Sequence, residues 1–178
     1  MALWAHVPGW PAQVAAGISE LCVYPKEGAA LPAGWRGAAI LMSYARLLLD
    51  VNPVSSPVDP GLRAAAIDAF NDCAQACIAD TDADLGEHDV AEMVTCIRLC
   101  LDCADVCAAA AGITSRPSGY DPEVARPLLE ACVASCRSCG DECERHASMH
   151  EHCRICAEAC RRAEQASRDL LNAISDRG

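Results

Sequence analysis

The stretch CIRLCLDCADVC, residues 96–107, contains four cysteines separated by four, three and four positions. The same spacing recurs in CVASCRSCGDEC, residues 132–143. Shorter versions occupy residues 73–77, with one step of four, and residues 153–160, with steps of three and four. Because an α-helix turns about 100° per residue, such steps place all cysteines of one segment on a single stripe. The pattern predicts four helices that each turn a row of thiols toward a common bundle axis.

Helix boundary signals divide this part of the chain into the same four segments. Four pairs of residues mark the predicted starts: Asp59-Pro60, Asp89 with Glu92, Asp121-Pro122, and Ser148 with Glu151. The two Asp-Pro pairs combine an N-cap with proline at the first helical position, and the other two pairs have the spacing of a capping box. Gly86 and Gly112 are expected to end the first and second helices, and Pro127 is expected to kink the third.

The predicted break between the third and fourth helices has an alternative. Without it, Cys143, His146, His150 and Cys153 would share one stripe of a single long helix, with steps of three, four and three. The chain would then form a long two-helix hairpin that dimerises. We favour four helices, because a helix of roughly 50 residues would far exceed the usual length of about 12. The predicted fold is all-α, an antiparallel four-helix bundle with a cysteine-lined core.

Residues 1–58 differ in composition from the predicted bundle of residues 59–178. They hold six of the ten prolines, all three tryptophans and one cysteine, Cys22. We expect a lead-in with one amphipathic helix at about residues 35–51. The first residues have neither a basic segment nor an uninterrupted apolar segment, so a signal peptide is not expected. The predicted location is the cytoplasm, where thiols are free or bound to metal rather than paired in disulfides.

The charge balance excludes two classes of partner. With 14 Lys and Arg against 25 Asp and Glu, the net charge is −11, which repels nucleic acid and anionic membrane surfaces. The most apolar stretch contains Arg46 and is shorter than the ~20 residues that a bilayer span requires. We therefore expect neither nucleic-acid binding nor membrane insertion.

Cysteine is the outlier of the composition, with 14 residues in 178. Packing alone does not account for 13 regularly spaced thiols, because Leu, Val or Ala would fill a core without the risk of oxidation. Disulfides within a row are disfavoured because cysteines on one helical face have parallel Cβ vectors. Metal binding is therefore the preferred interpretation.

Rows of cysteines in mid-helix suit Cu(I) better than other metals. Structural zinc and iron–sulfur sites usually take their cysteines from turns and loops. Thiolates select Cu(I), and neighbouring levels of the rows can share sulfurs between ions. Because each bound thiol loses its proton, about one monovalent ion per sulfur keeps the lining nearly neutral, which favours a store of multiple Cu(I) ions. The predicted ligands are Cys73, Cys77, Cys96, Cys100, Cys103, Cys107, Cys132, Cys136, Cys139, Cys143, Cys153, Cys156 and Cys160.

The predicted topology gathers histidines at one end of the bundle. If the helices run up, down, up and down, the ends of the first and third meet the starts of the second and fourth. All histidines except His6 fall at this pole, which we call the mouth. His146 and His150 are predicted to bind copper there and to pass it inward. Weaker candidates at the mouth are His88, Met93, Met149 and His152.

Three segments resemble the cytosolic copper storage proteins, a family of cysteine-rich four-helix bundles. They are CAQAC at 73–77, CIRLCLDCADVC at 96–107 and CRSCGDECERHASMHEHCRICAEACRR at 136–162, and the likeness spans about residues 42–175. The resemblance implies a Cu(I) store inside each bundle, a histidine-bearing mouth, a short extra N-terminal helix and assembly into tetramers.

Some positions depart from this family. Where its members often have further cysteines, this chain has Asp80, Asp84, Ala163 and Ser167. These departures imply a smaller capacity for Cu(I), or an acidic mouth at Asp80 and Asp84 that attracts cations. Residues 1–41 have no counterpart in the resemblance, and Met42 stands where the family's members begin, so an over-extended start is an alternative.

Two competing functions remain for a cysteine-rich bundle. One is a general thiolate buffer for zinc or mixed metals, and the other is a thiol redox protein. A redox catalyst would need a thiolate of low pKa near a positive charge or a helix N-terminus, whereas these cysteines lie in mid-helix among mixed charges. We therefore expect a binding protein that is not an enzyme.

Overall fold

The computed structural model describes residues 43–54, 58–118 and 121–175, and the described residues form five α-helices and no strand. The helices are α1 (Tyr44–Asp50), α2 (Pro60–Gly86), α3 (Val90–Thr114), α4 (Pro122–His146) and α5 (Glu151–Ser175). Helices α2 to α5 form a ring in which α2 and α4 each pack against both α3 and α5. This confirms the predicted all-α bundle with a short extra N-terminal helix.

The first part of the predicted lead-in, residues 1–42, lies outside the described residues, and so does Cys22. Of the amphipathic helix expected at about 35–51, the described part is α1. Ser43 caps α1 by accepting a hydrogen bond from the Arg46 backbone N–H at 3.3 Å. None of the residues of α1 is buried, although the helix contacts α2.

The two Asp-Pro signals start helices as predicted. The Asp59 carboxylate accepts from the Leu62 N–H at 2.8 Å at the start of α2, and Asp121 accepts from the Glu123 N–H at 2.9 Å at the start of α4. The predicted capping box at Asp89 is wrong, because its side chain makes no cap hydrogen bond. Its backbone carbonyl instead accepts from the Glu92 N–H at 2.7 Å.

Two predicted boundaries are displaced. Helix α3 ends at Thr114 rather than Gly112, because the Ser115 hydroxyl and N–H both bond to Ala111 O and extend the last turn. Helix α5 begins at Glu151, but His150 rather than Ser148 has the N-cap position, since the Arg154 N–H donates to His150 O. The break between α4 and α5 is confirmed, and a single long helix is excluded.

The two ends of the bundle are built differently. At the end formed by the start of α2 and the end of α3, Phe70, Leu129 and Leu170 are buried and close the core with apolar side chains. The buried Arg63 guanidinium donates to Thr114 O at 2.9 Å and ties these two helix ends together. The mouth at the opposite end carries carboxylates and imidazoles instead. Among the described residues, the core therefore ends in apolar side chains at the first end and in carboxylates and imidazoles at the mouth.

Pro127 lies inside helix α4, which is continuous from Pro122 to His146. Further along, Gly140 brings α4 close to α5, since a Cβ there would lie 3.1 Å from the Arg161 guanidinium carbon and 3.3 Å from Cys160 Cβ. Arg161 then pairs with Asp141 and Glu144 across the same contact. Among the described helices, none combines the length and the apolar character that a membrane crossing requires.

Candidate metal centre

The core of the bundle is a column of thiols. All 13 cysteines of the described residues are unpaired and at most 1% exposed. Their sulfurs contact one another both along a helix and between helices. The Sγ atoms of Cys107 and Cys136 are 3.4 Å apart, and those of Cys96 and Cys143 are 3.6 Å apart. These distances exceed a disulfide bond of about 2.05 Å but suit sulfurs that bridge a shared metal ion.

The sulfurs fall into overlapping groups of four. In each group the Sγ atoms all lie within 4.8 Å of one another. The groups are Cys73, Cys103, Cys107 and Cys136; Cys73, Cys77, Cys103 and Cys160; Cys77, Cys139, Cys156 and Cys160; and Cys100, Cys139, Cys143 and Cys156. Successive groups share members, so the column is continuous rather than a set of separate sites. Soft thiolates in this arrangement are the ligands that Cu(I) prefers.

A carboxylate joins the column where the thiols of α2 end. Asp80 is 2% exposed, and its Oδ2 lies 3.3 Å from Cys100 Sγ and 3.6 Å from Cys143 Sγ. Together with Cys96, these residues form a further potential ligand group. The steps from Cys77 to Asp80 and from Asp80 to Asp84 are three and four, the same heptad spacing as the thiols. That spacing was the sequence signal that could have added both aspartates to the predicted ligand set.

His152 links the column to the mouth. Its Nδ1 lies 2.8 Å from Asp80 Oδ1 and 3.7 Å from Asp84 Oδ1, and its Nε2 lies 3.2 Å from Glu87 Oε1. Asp84 is fully buried. The aspartates therefore form an acidic lining inside the mouth rather than on its rim.

The burial of these groups changes their proton affinity. The pKa of Asp84 is raised to about 7, chiefly by burial and in part by the nearby Cys96 and Asp80. Burial also raises the pKa of Asp80, against the effect of the His152 hydrogen bond. Partial burial lowers the pKa of His152, but hydrogen bonds to Asp80 and Glu87 outweigh it, so that the pKa rises. Burial and then the charge of Asp80 raise the pKa of the Cys153 thiol.

The other predicted mouth residues occupy different depths. His146 Nε2 is 3.5 Å from Glu142 Oε1, and His150 Nδ1 is 3.1 Å from Glu87 Oε1. Both side chains are largely buried, at 14% and 10% exposed. Met93 is fully buried in the core, whereas Met149 and His88 are exposed. Glu87 and Glu142 were not identified from the sequence as partners of the histidines. The i,i+4 spacing of Glu142 and His146 within α4 was a signal that could have found the first pair, whereas the contact of Glu87 with His150 joins distant parts of the chain and has no such signal.

Comparisons with known proteins agree with this chemistry. The sequence model of the copper storage protein family matches residues 62–172. The cysteine-rich protein YhjQ of Bacillus subtilis (strain 168) is 36% identical over 95 residues, which are 53% of this chain and 82% of that protein.

Solved structures of copper storage proteins are also similar to this chain. The copper storage protein Ccsp from Streptomyces lividans, loaded with 10 copper equivalents, is 51% identical with a TM-score of 0.71, and the match covers 72% of this chain and 98% of that one. A structure of a cytosolic copper storage protein from the same organism with five coppers is 54% identical with a TM-score of 0.62, covering 63% and 93%.

Proposed function

Because this chain belongs to the copper storage protein family, we propose that it stores multiple Cu(I) ions on the thiolates inside its four-helix bundle. The observation that carries the proposal is the continuous column of 13 free, buried thiols. Storage also protects the cell, because bound Cu(I) is removed from reactions with other thiols. The 13 cysteines are the proposed ligands, and the role is storage without catalytic turnover.

Charge neutrality supports filling of the whole column. A lone thiolate in a buried apolar setting costs several kcal/mol, whereas a thiolate bound to a monovalent cation is nearly neutral. Neighbouring four-sulfur groups share cysteines. A thiolate that binds an ion in one group can therefore also bind an ion in the next group. This favours successive filling over binding of a single ion.

The mouth is the proposed route for copper. His146 and His150 are the proposed first ligands, since each imidazole keeps a small exposed fraction and lies three residues from a cysteine of the column, Cys143 or Cys153. Imidazole binds Cu(I) less tightly than a pair of thiolates, so an ion gains free energy as it moves inward. The closed end, packed with Phe70, Leu129 and Leu170, offers no comparable ligands among the described residues.

A cytosolic location and a homo-oligomer, a tetramer by the family resemblance, complete the proposal. The structural relative with five coppers is described as cytosolic. Apolar side chains are exposed on the outer faces of α2 and α3, among them Ile78, Leu85, Val94 and Leu101. Self-association would cover part of this surface. Native mass spectrometry of the metal-free protein measures the assembly, and a purely monomeric spectrum would contradict the oligomer.

The experiment for storage is an anaerobic titration with Cu(I) against a strong Cu(I) chelator. We expect saturation at several ions per chain, and we expect Zn(II) at equal concentration not to displace the copper. Saturation at one ion, or displacement by zinc, would overturn the proposal. Turnover of a disulfide or a peroxide by the purified protein would overturn the non-catalytic role.

A further inference from the structure

Three thiols at the closed end of the column form a compact triangle. Cys107 of α3 faces Cys132 and Cys136 of α4, and all three side chains are fully buried. The Sγ atoms of Cys107 and Cys136 are 3.4 Å apart, and Cys132 Sγ lies 3.8 Å from each of them. We call these three residues the terminal triad. Its sulfurs are spaced to hold one three-coordinate centre between the two helices.

The terminal triad is the end of the thiol column. Within the described part of the chain, the short sulfur contacts of Cys132 are those with Cys107 and Cys136. One helical turn nearer to the closed end, the same face of α4 carries the buried Leu129. An ion held by Cys132 therefore has fewer neighbouring sulfurs to share than an ion in the middle of the column.

Charge favours a trivalent centre in the terminal triad. Three thiolates carry a charge of −3, so one Cu(I) ion leaves −2 unless further ions share the same sulfurs. A trivalent centre bound by three thiolates is neutral, and neutrality avoids the cost of a net charge in a buried apolar setting. Arsenic(III) is a trivalent centre of this kind, because it is soft and takes three sulfurs in a pyramid.

The spacing of the sulfurs also suits pyramidal arsenic(III). If its bonds to sulfur are about as long as the ~2.3 Å of zinc to sulfur and its bond angles are slightly above 90°, three sulfurs are separated by roughly 3.3–3.5 Å. One edge of the terminal triad has this length, and the other two need to shorten by a few tenths of an ångström.

Other triangles of close sulfurs in the described column fit less well. They are Cys73, Cys77 and Cys160; Cys100, Cys139 and Cys143; and Cys103, Cys107 and Cys136. Each has one edge of 3.9 or 4.0 Å, whereas the longest edges of the terminal triad are 3.8 Å. In the second triangle, Asp80 Oδ2 also lies 3.3 Å from Cys100 Sγ and adds negative charge.

We propose that the terminal triad binds trivalent arsenic as a second kind of ligand of the thiol column. This inference rests on the proposed column of reduced thiols, and Cu(I) competes for the same three sulfurs. Arsenous acid, As(OH)3, exchanges its hydroxides for thiols. Three As–O and three S–H bonds break, three As–S bonds form, and the protons leave with the hydroxides as three water molecules. No atom is oxidised or reduced, and because reactant and product are neutral, neither entry nor binding places a net charge in the core.

X-ray absorption at the arsenic edge tests the coordination in metal-free, reduced protein mixed anaerobically with one equivalent of arsenite. We expect three sulfur neighbours and no oxygen neighbour around arsenic. Crystals of the same complex should show the anomalous signal of arsenic between the three Sγ atoms of the terminal triad. A shell that retains oxygen, or an arsenic signal at another triangle, would overturn the proposal.

Variants test the residues by competition with a small dithiol that binds arsenite. Cys132→Ala should weaken arsenite binding at least about tenfold, since loss of even an outer partner of a metal ligand costs about 10 to 100-fold. Cys153→Ala is the matched control, because it also removes a buried thiol, but one that lies against Asp84 Oδ1 and His152 Nδ1. Equal arsenite affinities in the two variants, both with the circular dichroism of the wild type, would contradict the site. If Cys132→Ala does not fold, the wild-type absorption spectrum and crystal decide the question.

Competition with copper separates this proposal from the proposed copper store. Protein saturated with Cu(I) should take up no arsenite at one equivalent, because its three thiols are occupied. Arsenite uptake equal to that of the metal-free protein would show that arsenic binds elsewhere and would refute the terminal triad. Saturation of the wild type with a single Cu(I) ion would overturn the store, yet it would leave a three-sulfur arsenic shell in metal-free protein unaffected, so the two failures are distinguishable.

Discussion

At the scale of single residues, the unusual feature is the presence of ionisable groups inside the core. Asp80 and Asp84 continue the heptad positions of the α2 cysteines, and both are buried. They are held by His152 and by neighbouring thiols rather than by a full set of hydrogen bonds. Such groups reduce the stability of the metal-free protein and suit a region through which cations pass.

The raised pKa of Asp84 predicts how stability depends on pH. With a folded pKa of about 7 against a usual 3.8, the folded protein keeps a proton that the unfolded chain loses between these values. The free energy of unfolding should therefore fall as the pH rises from about 4 to about 7, and then level off. Asp84→Asn should reduce this decline to the part that Asp80 and His152 contribute, and add up to about 4 kcal/mol at pH 8.

Urea unfolding of metal-free, reduced protein at several pH values measures this effect. Asp82→Asn, two residues away on the exposed face of α2, is the matched control and should follow the wild type. A wild-type stability that rises between pH 5 and pH 7 in parallel with that of Asp84→Asn would refute the assignment.

The histidines of the mouth predict a kinetic effect. Replacing both His146 and His150 with alanine should slow Cu(I) uptake and leave the final loading nearly unchanged, because the thiol column is intact. Stopped-flow mixing with a Cu(I) chelator complex measures the rate. The exposed His88→Ala is the control, and a double variant as fast as this control would remove the two histidines from the route.

At the scale of helices, each of α2 to α5 contributes one row of sulfurs, and the rows meet in the middle of the bundle. Cys103 of α3 contacts Cys73 and Cys136, and Cys139 of α4 contacts Cys77 and Cys100. Cys103 and Cys139 therefore each belong to four-sulfur groups that draw on three helices. The capacity of the store depends on the rows as a set.

Changing Cys103 and Cys139 to alanine should lower the Cu(I) capacity by more than one ion without unfolding the metal-free protein. The small apolar replacements preserve most of the packing, so the loss of stability should be limited to about 1–3 kcal/mol. Chelator competition gives the capacity, and circular dichroism gives the fold. A collapsed fold would indicate that the thiols serve packing rather than metal binding.

The contact between α4 and α5 at Gly140 predicts a purely structural effect. Gly140→Ala should destabilise the protein by about 1–3 kcal/mol, since its new methyl group meets the Arg161 guanidinium and Cys160 Cβ. Gly112→Ala is the control, because its nearest neighbour is the end of Arg116 at 3.8 Å and alanine is the better helix former. Thermal unfolding compares the two, and equal melting temperatures would contradict the close packing.

At the scale of the whole molecule, much of the fold could be predicted from the sequence. The heptad spacing of the cysteines and the Asp-Pro caps at Asp59 and Asp121 are local signals, and both give the helices correctly. The capping box at Asp89 was predicted wrongly, because side-chain spacing does not show whether a carboxylate turns toward its own backbone. The end at Gly112 was also wrong, because hydrogen bonds from Ser115 extend α3 beyond it.

The predicted site was less complete than the fold. The thiol column follows from the spacing of the cysteines, because all cysteines of one helix lie on a single stripe of that helix. The roles of Asp84, Glu87 and His152 depend on contacts between α2 and α5, which are separated by more than 60 residues in the chain. Such contacts arise only when the helices pack, so single-helix patterns do not contain them.

The most direct test of the account is a crystal structure of the protein grown anaerobically with excess Cu(I), with copper located by its anomalous scattering. We expect a continuous row of copper ions between the cysteines of α2 to α5, each bound by two or three sulfurs. An empty core, or cysteines joined in disulfides in place of copper, would contradict it.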